Sequence, residues 1–141
     1  MGASPLLPRF ILPPLNRDRL KPDPGWFTWA AQALKSAADN GELHCFGGIS
    51  SGLIATGARF IEDASLRKEI RDALPGLKAV EREGGAVAQV AEQEGIPWLL
   101  IRVISDGADE SAAQSFTDFV QVYEQQAWRL IEALLRRLNN P

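Results

Sequence analysis

The segment Pro97 to Ser105, PWLLIRVIS, constrains this chain more than any other stretch. It is apolar at nearly every position and lacks the alternation of a strand with one wet face. It is therefore expected to be a strand covered on both faces. A helix expected over Glu83 to Glu94 precedes it, with Ala86, Val87, Val90 and Ala91 turned inward and Gly95 at its end. Before that helix, Lys78 to Glu81 reads as a short strand. Strand, helix, strand in this order requires a parallel crossover, and parallel strands need helices over their faces. The chain is expected to be an α/β protein.

The remaining elements follow from local punctuation. Six of the nine prolines lie in the first 24 residues, where no period is visible, so residues 1–22 are expected to be a proline-rich extended arm. Asp23 and Pro24 then open a helix, with the aspartate as cap, and this begins an α/β domain over residues 23–141. Trp26, Phe27, Trp29, Ala30, Ala33, Leu34 and Ala37 form its expected apolar stripe, and Asn40-Gly41 closes it. Leu43 to Thr56 reads as one bent strand or two short ones, with Gly47, Gly48 and Gly52 marking a bulge or a close approach. Asp63 caps a helix running to Leu74, where Pro75-Gly76 stops it. A long amphipathic helix, Phe116 to Leu138, ends the sequence, and pairs such as Glu132 with Arg136 are expected on its solvated face.

Composition removes several classes of function. The 141 residues are 45% hydrophobic and 23% charged, as in a globular domain able to bury a core. With 18 acidic and 15 basic residues the net charge is −3, so no broad positive field draws the chain to nucleic acid. No apolar run reaches the roughly 20 residues that cross a bilayer, and Pro5, Pro8, Pro13 and Pro14 interrupt the first apolar stretch, so neither a membrane nor a secretory signal is expected. Cys45 is the single cysteine, which excludes an intrachain disulfide and fits the cytoplasm. Beside it stands His44, but two adjacent ligands fall short of a tetrahedral set, and no metal or other cofactor is expected.

Ligands of open parallel sheets bind at the carboxyl ends of the strands. Two acidic signals fall there. Glu81-Arg82-Glu83 lies where the short strand passes into its helix, and Ser105-Asp106 lies where the buried run ends. Each has an ordinary structural explanation beside the functional one. Glu83 is a carboxylate at a helix start, favoured by the dipole, and Asp106 precedes Gly107 in a turn. Trp26, Trp29, Trp98 and Trp128 fit packing.

The run AVEREGGAVAQVAEQEGIPWLLIRVISDGAD, Ala79 to Asp109, resembles the signature of the 5′-methylthioadenosine/S-adenosylhomocysteine nucleosidases within the purine and uridine phosphorylase superfamily. In that signature a Glu-Met-Glu stretch leads a small-residue helix, and the buried strand that follows ends in Ile-Ser-Asp. GLIATGARFI, Gly52 to Ile61, resembles the family's purine-enclosing strand and loop. SFTDF, Ser115 to Phe119, is similar to the opening of its last helix. The likeness runs from about Ile49 to the final helix and covers the carboxyl-terminal half of the family domain.

The resemblance implies a three-layer α/β/α nucleoside phosphorylase-like fold with an incomplete sheet. It implies cleavage of the N-glycosidic bond of a purine nucleoside, by hydrolysis or phosphorolysis. The alternative is a catalytically incomplete module that binds a purine nucleoside or nucleotide. Asp106 would protonate purine N7 as the bond breaks, and Ser105 would orient its carboxyl group. Glu83 would accept the ribose hydroxyls and favour the oxocarbenium-like sugar. Phe60 would stack on the base, the backbone of Ile61 would read its edge, and Glu81 would line the sugar side. Phe60 and Ile61 fit a hydrophobic core equally well, and Asp109 fits a loop-holding role.

Three departures from the family pattern stand out. The group that activates water, or the cluster that binds phosphate, has no counterpart here. Arg82 replaces a methionine under the ribose, so it either binds a 5′-phosphate or points outward. Ala58 stands where the family loop often has aspartate. A purine nucleoside or nucleotide, and phosphate, are the expected small partners. An incomplete sheet with an open edge and bare apolar faces further calls for a second copy or a complementing chain.

Overall fold

The computed structural model describes residues 11–12, 15–57, 64–105 and 112–139. Its elements are α1 (Pro24–Asp39), a 3-10 turn (His44–Phe46), β1 (Leu53–Thr56), α2 (Ala64–Ala73), β2 (Leu77–Glu81), α3 (Gly84–Gln93) and α4 (Ala112–Asn139). β1 and β2 pair in parallel, with Ile54 opposite Ala79, Ala55 opposite Val80 and Thr56 opposite Glu81. α2 lies in the crossover between them, so the parallel α/β unit is present.

Local signals set the helix ends. Asp23 Oδ1 accepts the Trp26 amide at 2.8 Å, and Pro24 occupies the first turn, where its missing N–H costs nothing. Gly41, at φ 75°, and Gly95, at φ 65°, take the left-handed conformation just beyond α1 and α3, which a side chain would strain.

The core lies between α1 and α4. Leu34, Ala37, Leu43 and Ala133 are buried together, with Phe46, Leu130 and Leu134 packed around them. Leu43 is the most deeply buried large side chain among the described residues. Arg136 of α4 pairs with Glu42 as well as reaching Glu132 at 3.9 Å, and Arg137 bonds Gln32. The last turns of α4 are therefore tied to α1 rather than merely solvated.

Several expectations need correcting. Residues 43–52 are not a strand, because Leu43 turns into the core, a 3-10 turn follows, and Gly47 at φ 70° breaks the extended path; only Leu53–Thr56 pairs. On α1, Trp26 and Phe27 are exposed, and the small residues Ala30, Ala33 and Ala37 make the contact with Leu34. On α3 the buried positions are Gly84 and Ala88, while Val87 and Val90 face out. A helix packed closely on a sheet buries its smallest side chains, and α3 lies against β1.

Residues 97–105 form no ladder among the described residues, and Ile101 and Ile104 are exposed. An apolar run becomes a strand only where a neighbour supplies hydrogen-bond partners, and none of the described strands pairs with this one. Cross-links fix its start instead. The Asp23 amide donates to the Trp98 carbonyl at 2.9 Å, and the Trp98 indole donates to Glu92 at 3.1 Å. Arg17 pairs with the same Glu92 at 3.2 Å. An isolated antiparallel bridge joins Leu12 and Arg17. No helix among the described residues is long and apolar enough to cross a membrane.

Candidate active site

Parallel pairing brings Thr56 and Glu81 to the same edge, at the carboxyl ends of β1 and β2. The Gly57 amide donates to the Glu81 carbonyl at 2.9 Å and carries the ladder one residue further. α3 starts immediately after β2 with its first amides unpaired, as at any helix start. Here the strand ends supply the acceptors. Glu81 Oε2 takes the amides of Glu83 at 3.0 Å and Gly84 at 2.7 Å, and Thr56 Oγ1 takes that of Gly85 at 2.7 Å. The Thr56 hydroxyl in turn donates to Glu81 Oε1.

This arrangement bears on two glycines. A methyl group on Gly85 would come within 2.6 Å of Thr56 Oγ1, and one on Gly84 within 2.6 Å of Leu100 Cδ2. The close approach of α3 to β1 needs the hydrogen of Gly85, since Thr56 Cβ, 2.8 Å from the added methyl, cannot swing away.

It also separates the two glutamates. Glu81 is 8% exposed, with both oxygens taken by protein donors. Burial pushes its pKa up, but the Thr56 hydroxyl, the Gly84 amide, Arg102 and the Glu83 amide together outweigh this and lower it from 4.5 to about 2. Glu81 is thus a fixed anion. Glu83 stands at the N-cap of α3 yet makes no side-chain cap, because Glu81 does that work. Its side chain is 71% exposed, leaving the carboxylate able to meet a ligand.

Arg102 joins them. Its Nη2 bonds Glu81 Oε2 and lies 3.0 Å from Glu83 Oε2. The Glu81 carboxylate raises the pKa of Arg102 above its usual value despite partial burial. Sequence reading passed over both Arg102 and Thr56. The signal for Arg102 was available, since a single charge inside PWLLIRVIS must find a partner once the run is covered. Nothing local marked Thr56.

Of the residues singled out in the sequence, Glu81 and Glu83 come together at this edge through Arg102. Arg82, between them, is exposed. Ser105 is half-buried at the end of the run that carries Arg102. Phe60, Ile61, Asp106 and Asp109 lie outside the described residues, as does Ala58.

Two glutamates joined by one arginine thus stand at the carboxyl edge of parallel strands on an α/β frame. The sequence model of the Phosphorylase superfamily matches residues 11–136, and the chain belongs to that superfamily. Within it the chain is similar to a 5′-methylthioadenosine/S-adenosylhomocysteine nucleosidase from Exiguobacterium. The two are 37% identical over 90 residues, covering 64% of this chain and 39% of the relative.

Two solved structures superpose on it. One is the Neisseria meningitidis nucleosidase of the same name in complex with methylthio-immucillin-A, with a TM-score of 0.68 and 30% identity over 95% of this chain and 51% of that one. The other is the Colwellia psychrerythraea nucleosidase in complex with adenine, with a TM-score of 0.71 and 25% identity over 89% and 49%. The fold is nucleoside phosphorylase-like α/β, as the sequence implied. The chain spans 39% of the Exiguobacterium relative and about half of each structural neighbour.

Proposed function

We propose that this chain carries the base- and sugar-gripping side of a site that cleaves the N-glycosidic bond of a 5′-methylthioadenosine- or S-adenosylhomocysteine-like purine nucleoside. The observation that carries the proposal is Glu83, a solvent-facing carboxylate relieved of capping by Glu81 and held by Arg102. In this reading Glu83 accepts the ribose hydroxyls and, as an anion, favours positive charge developing on the sugar. Glu81 underlies the sugar side as a permanently charged anchor.

Asp106 gives its proton to purine N7, because an unprotonated purine anion is a poor leaving group, and Ser105 orients that carboxyl group. Phe60 stacks on the base and the Ile61 backbone reads its edge. Arg82 meets a 5′-phosphate when the substrate is a nucleotide. The names and ligands of the similar proteins support a purine nucleoside as substrate. No metal or cofactor has a part in these steps. The single cysteine fits a cytoplasmic setting.

The test is release of free base from methylthioadenosine, S-adenosylhomocysteine, adenosine, inosine and AMP, with and without phosphate. A phosphate requirement distinguishes phosphorolysis from hydrolysis. No base from any substrate, even with the amino-terminal half of a nucleosidase added in trans, removes the reading.

One observation favours a second reading. In it the chain is a module that binds a purine nucleoside or nucleotide without cleaving it, as the similarity to nucleosidases bound to methylthio-immucillin-A and to adenine allows. Calorimetry with adenine and adenosine tests it, and turnover by the isolated chain eliminates it. Sedimentation as a monodisperse monomer removes the second copy or complementing chain expected from the sequence.

A further inference from the structure

We infer that Thr56 is a positioning residue for the sugar-binding carboxylate of Glu83, acting through Glu81 and Arg102. The inference rests on the reading of Glu83 as the ribose acceptor.

The Thr56 hydroxyl is committed in both directions. It accepts the Gly85 amide at 2.7 Å, so its own proton goes to Glu81 Oε1. That bond sets the rotation of the Glu81 carboxylate, whose terminal torsion is otherwise broad. With Oε1 occupied, Oε2 faces the start of α3, where it takes the Glu83 and Gly84 amides and Arg102. A single nitrogen of Arg102 then spans Glu81 Oε2 and Glu83 Oε2, the second at 3.0 Å.

Glu83 is largely exposed and takes no part in capping. The Arg102 guanidinium gives its side chain a direction. Without the hydroxyl the Glu81 carboxylate is held on its Oε2 side alone and can tilt about its terminal torsion, and Gly85 loses its acceptor. Arg102 then settles in more than one place and Glu83 follows. A threonine at the end of β1 therefore sets the direction of the carboxylate that meets the ribose in that reading.

Thr56→Val removes the hydroxyl and keeps the shape; Thr56→Ser keeps the hydroxyl. Calorimetry on the full chain compares methylthioadenosine, which has a ribose, with adenine, which has none. Thr56→Val is expected to weaken methylthioadenosine about tenfold, the loss of roughly one well-placed hydrogen bond, and to leave adenine unchanged. Thr56→Ser restores the wild-type value. In a Glu83→Gln background Thr56→Val has no further effect, because the two act as one unit.

A purely structural clip gives the opposite pattern. Additive effects in the double variant, an equal loss for adenine, or failure of the serine to rescue overturns the inference. If the wild-type chain binds no nucleoside, the proposed function fails, and the positioning is then read from Arg102 by nitrogen-15 NMR. Separate, slowly exchanging Nη signals in the wild type and Thr56→Ser that merge in Thr56→Val support it. Identical Nη signals in all three overturn it.

Discussion

Arg102 Nη2 and Glu83 Oε2 lie 3.0 Å apart, and the same nitrogen engages the far less exposed Glu81. The two halves of this bridge differ in kind. The pair with exposed Glu83 is screened by water and contributes little to stability, so its value is direction. The pair with Glu81, which is 8% exposed, offsets the cost of keeping an anion out of water.

Replacing Arg102 with Met keeps the stem and removes the fork. Glu81 retains Thr56 and two amides but loses its counter-charge. The expected loss is about 1–2 kcal/mol, scaled down from a fully buried pair because Arg102 is partly solvated. Urea unfolding checks it. Arg102→Lys should recover only part, since it restores the charge but its shorter, differently shaped stem does not hold a nitrogen where Nη2 stands. Wild-type stability in the Met variant would make the bridge a surface contact.

The pH dependence of stability has a definite sign. The folded pKa of Glu81, about 2, lies below its ordinary value of 4.5. Its contribution is fully present above about 4.5 and is lost as pH falls through that value toward 2. At 1.36 kcal/mol per unit the difference is on the order of 3 kcal/mol. Denaturant melts of the wild type and Glu81→Gln should converge across that acid window and run parallel above it. A constant gap down to pH 2 would contradict the shift.

Gly85→Ala should destabilise, against helix propensity. In an open helix the change stabilises by up to about 1 kcal/mol. Here the added methyl would stand 2.6 Å from Thr56 Oγ1 and 2.8 Å from Thr56 Cβ, and the second atom cannot swing away. A net loss of about 1–2 kcal/mol is expected from overpacking. A rise in thermal midpoint would show that α3 is free to move off β1.

Arg82→Met separates nucleotide from nucleoside. The substitution should weaken AMP about fivefold, as a lost exposed phosphate contact does, and leave methylthioadenosine unchanged or tighter. Equal effects on both ligands would place Arg82 outside the sugar region. Calorimetry on the full chain measures it.

Local chemistry made much of the fold legible. Asp23-Pro24 and Asn40-Gly41 bracket α1, Pro75-Gly76 follows α2, and Gly95 follows α3, because caps and left-handed glycines act over a few residues. The short strand before α3 and the long final helix were also readable from periodicity. Strand identity was less so. Leu43 and the run from Pro97 to Ser105 look extended by composition, yet one turns into the core and the other finds no ladder among the described residues. A strand is defined by its neighbour, and the neighbour is not written nearby in the chain.

The site divides in the same way. The sequence by itself marked Glu81 and Glu83 as carboxylates at the end of a strand, since strand, turn and helix are contiguous there. It did not decide which one is free. That was settled by Thr56, 25 residues away from Glu81, and Arg102, 21 residues away, which occupy one glutamate and orient the other. Hydrogen-bond capacity is assigned in three dimensions: the oxygens of Glu81 are filled by Thr56, Arg102 and two nearby amides, while Glu83 keeps one partner and stays largely exposed.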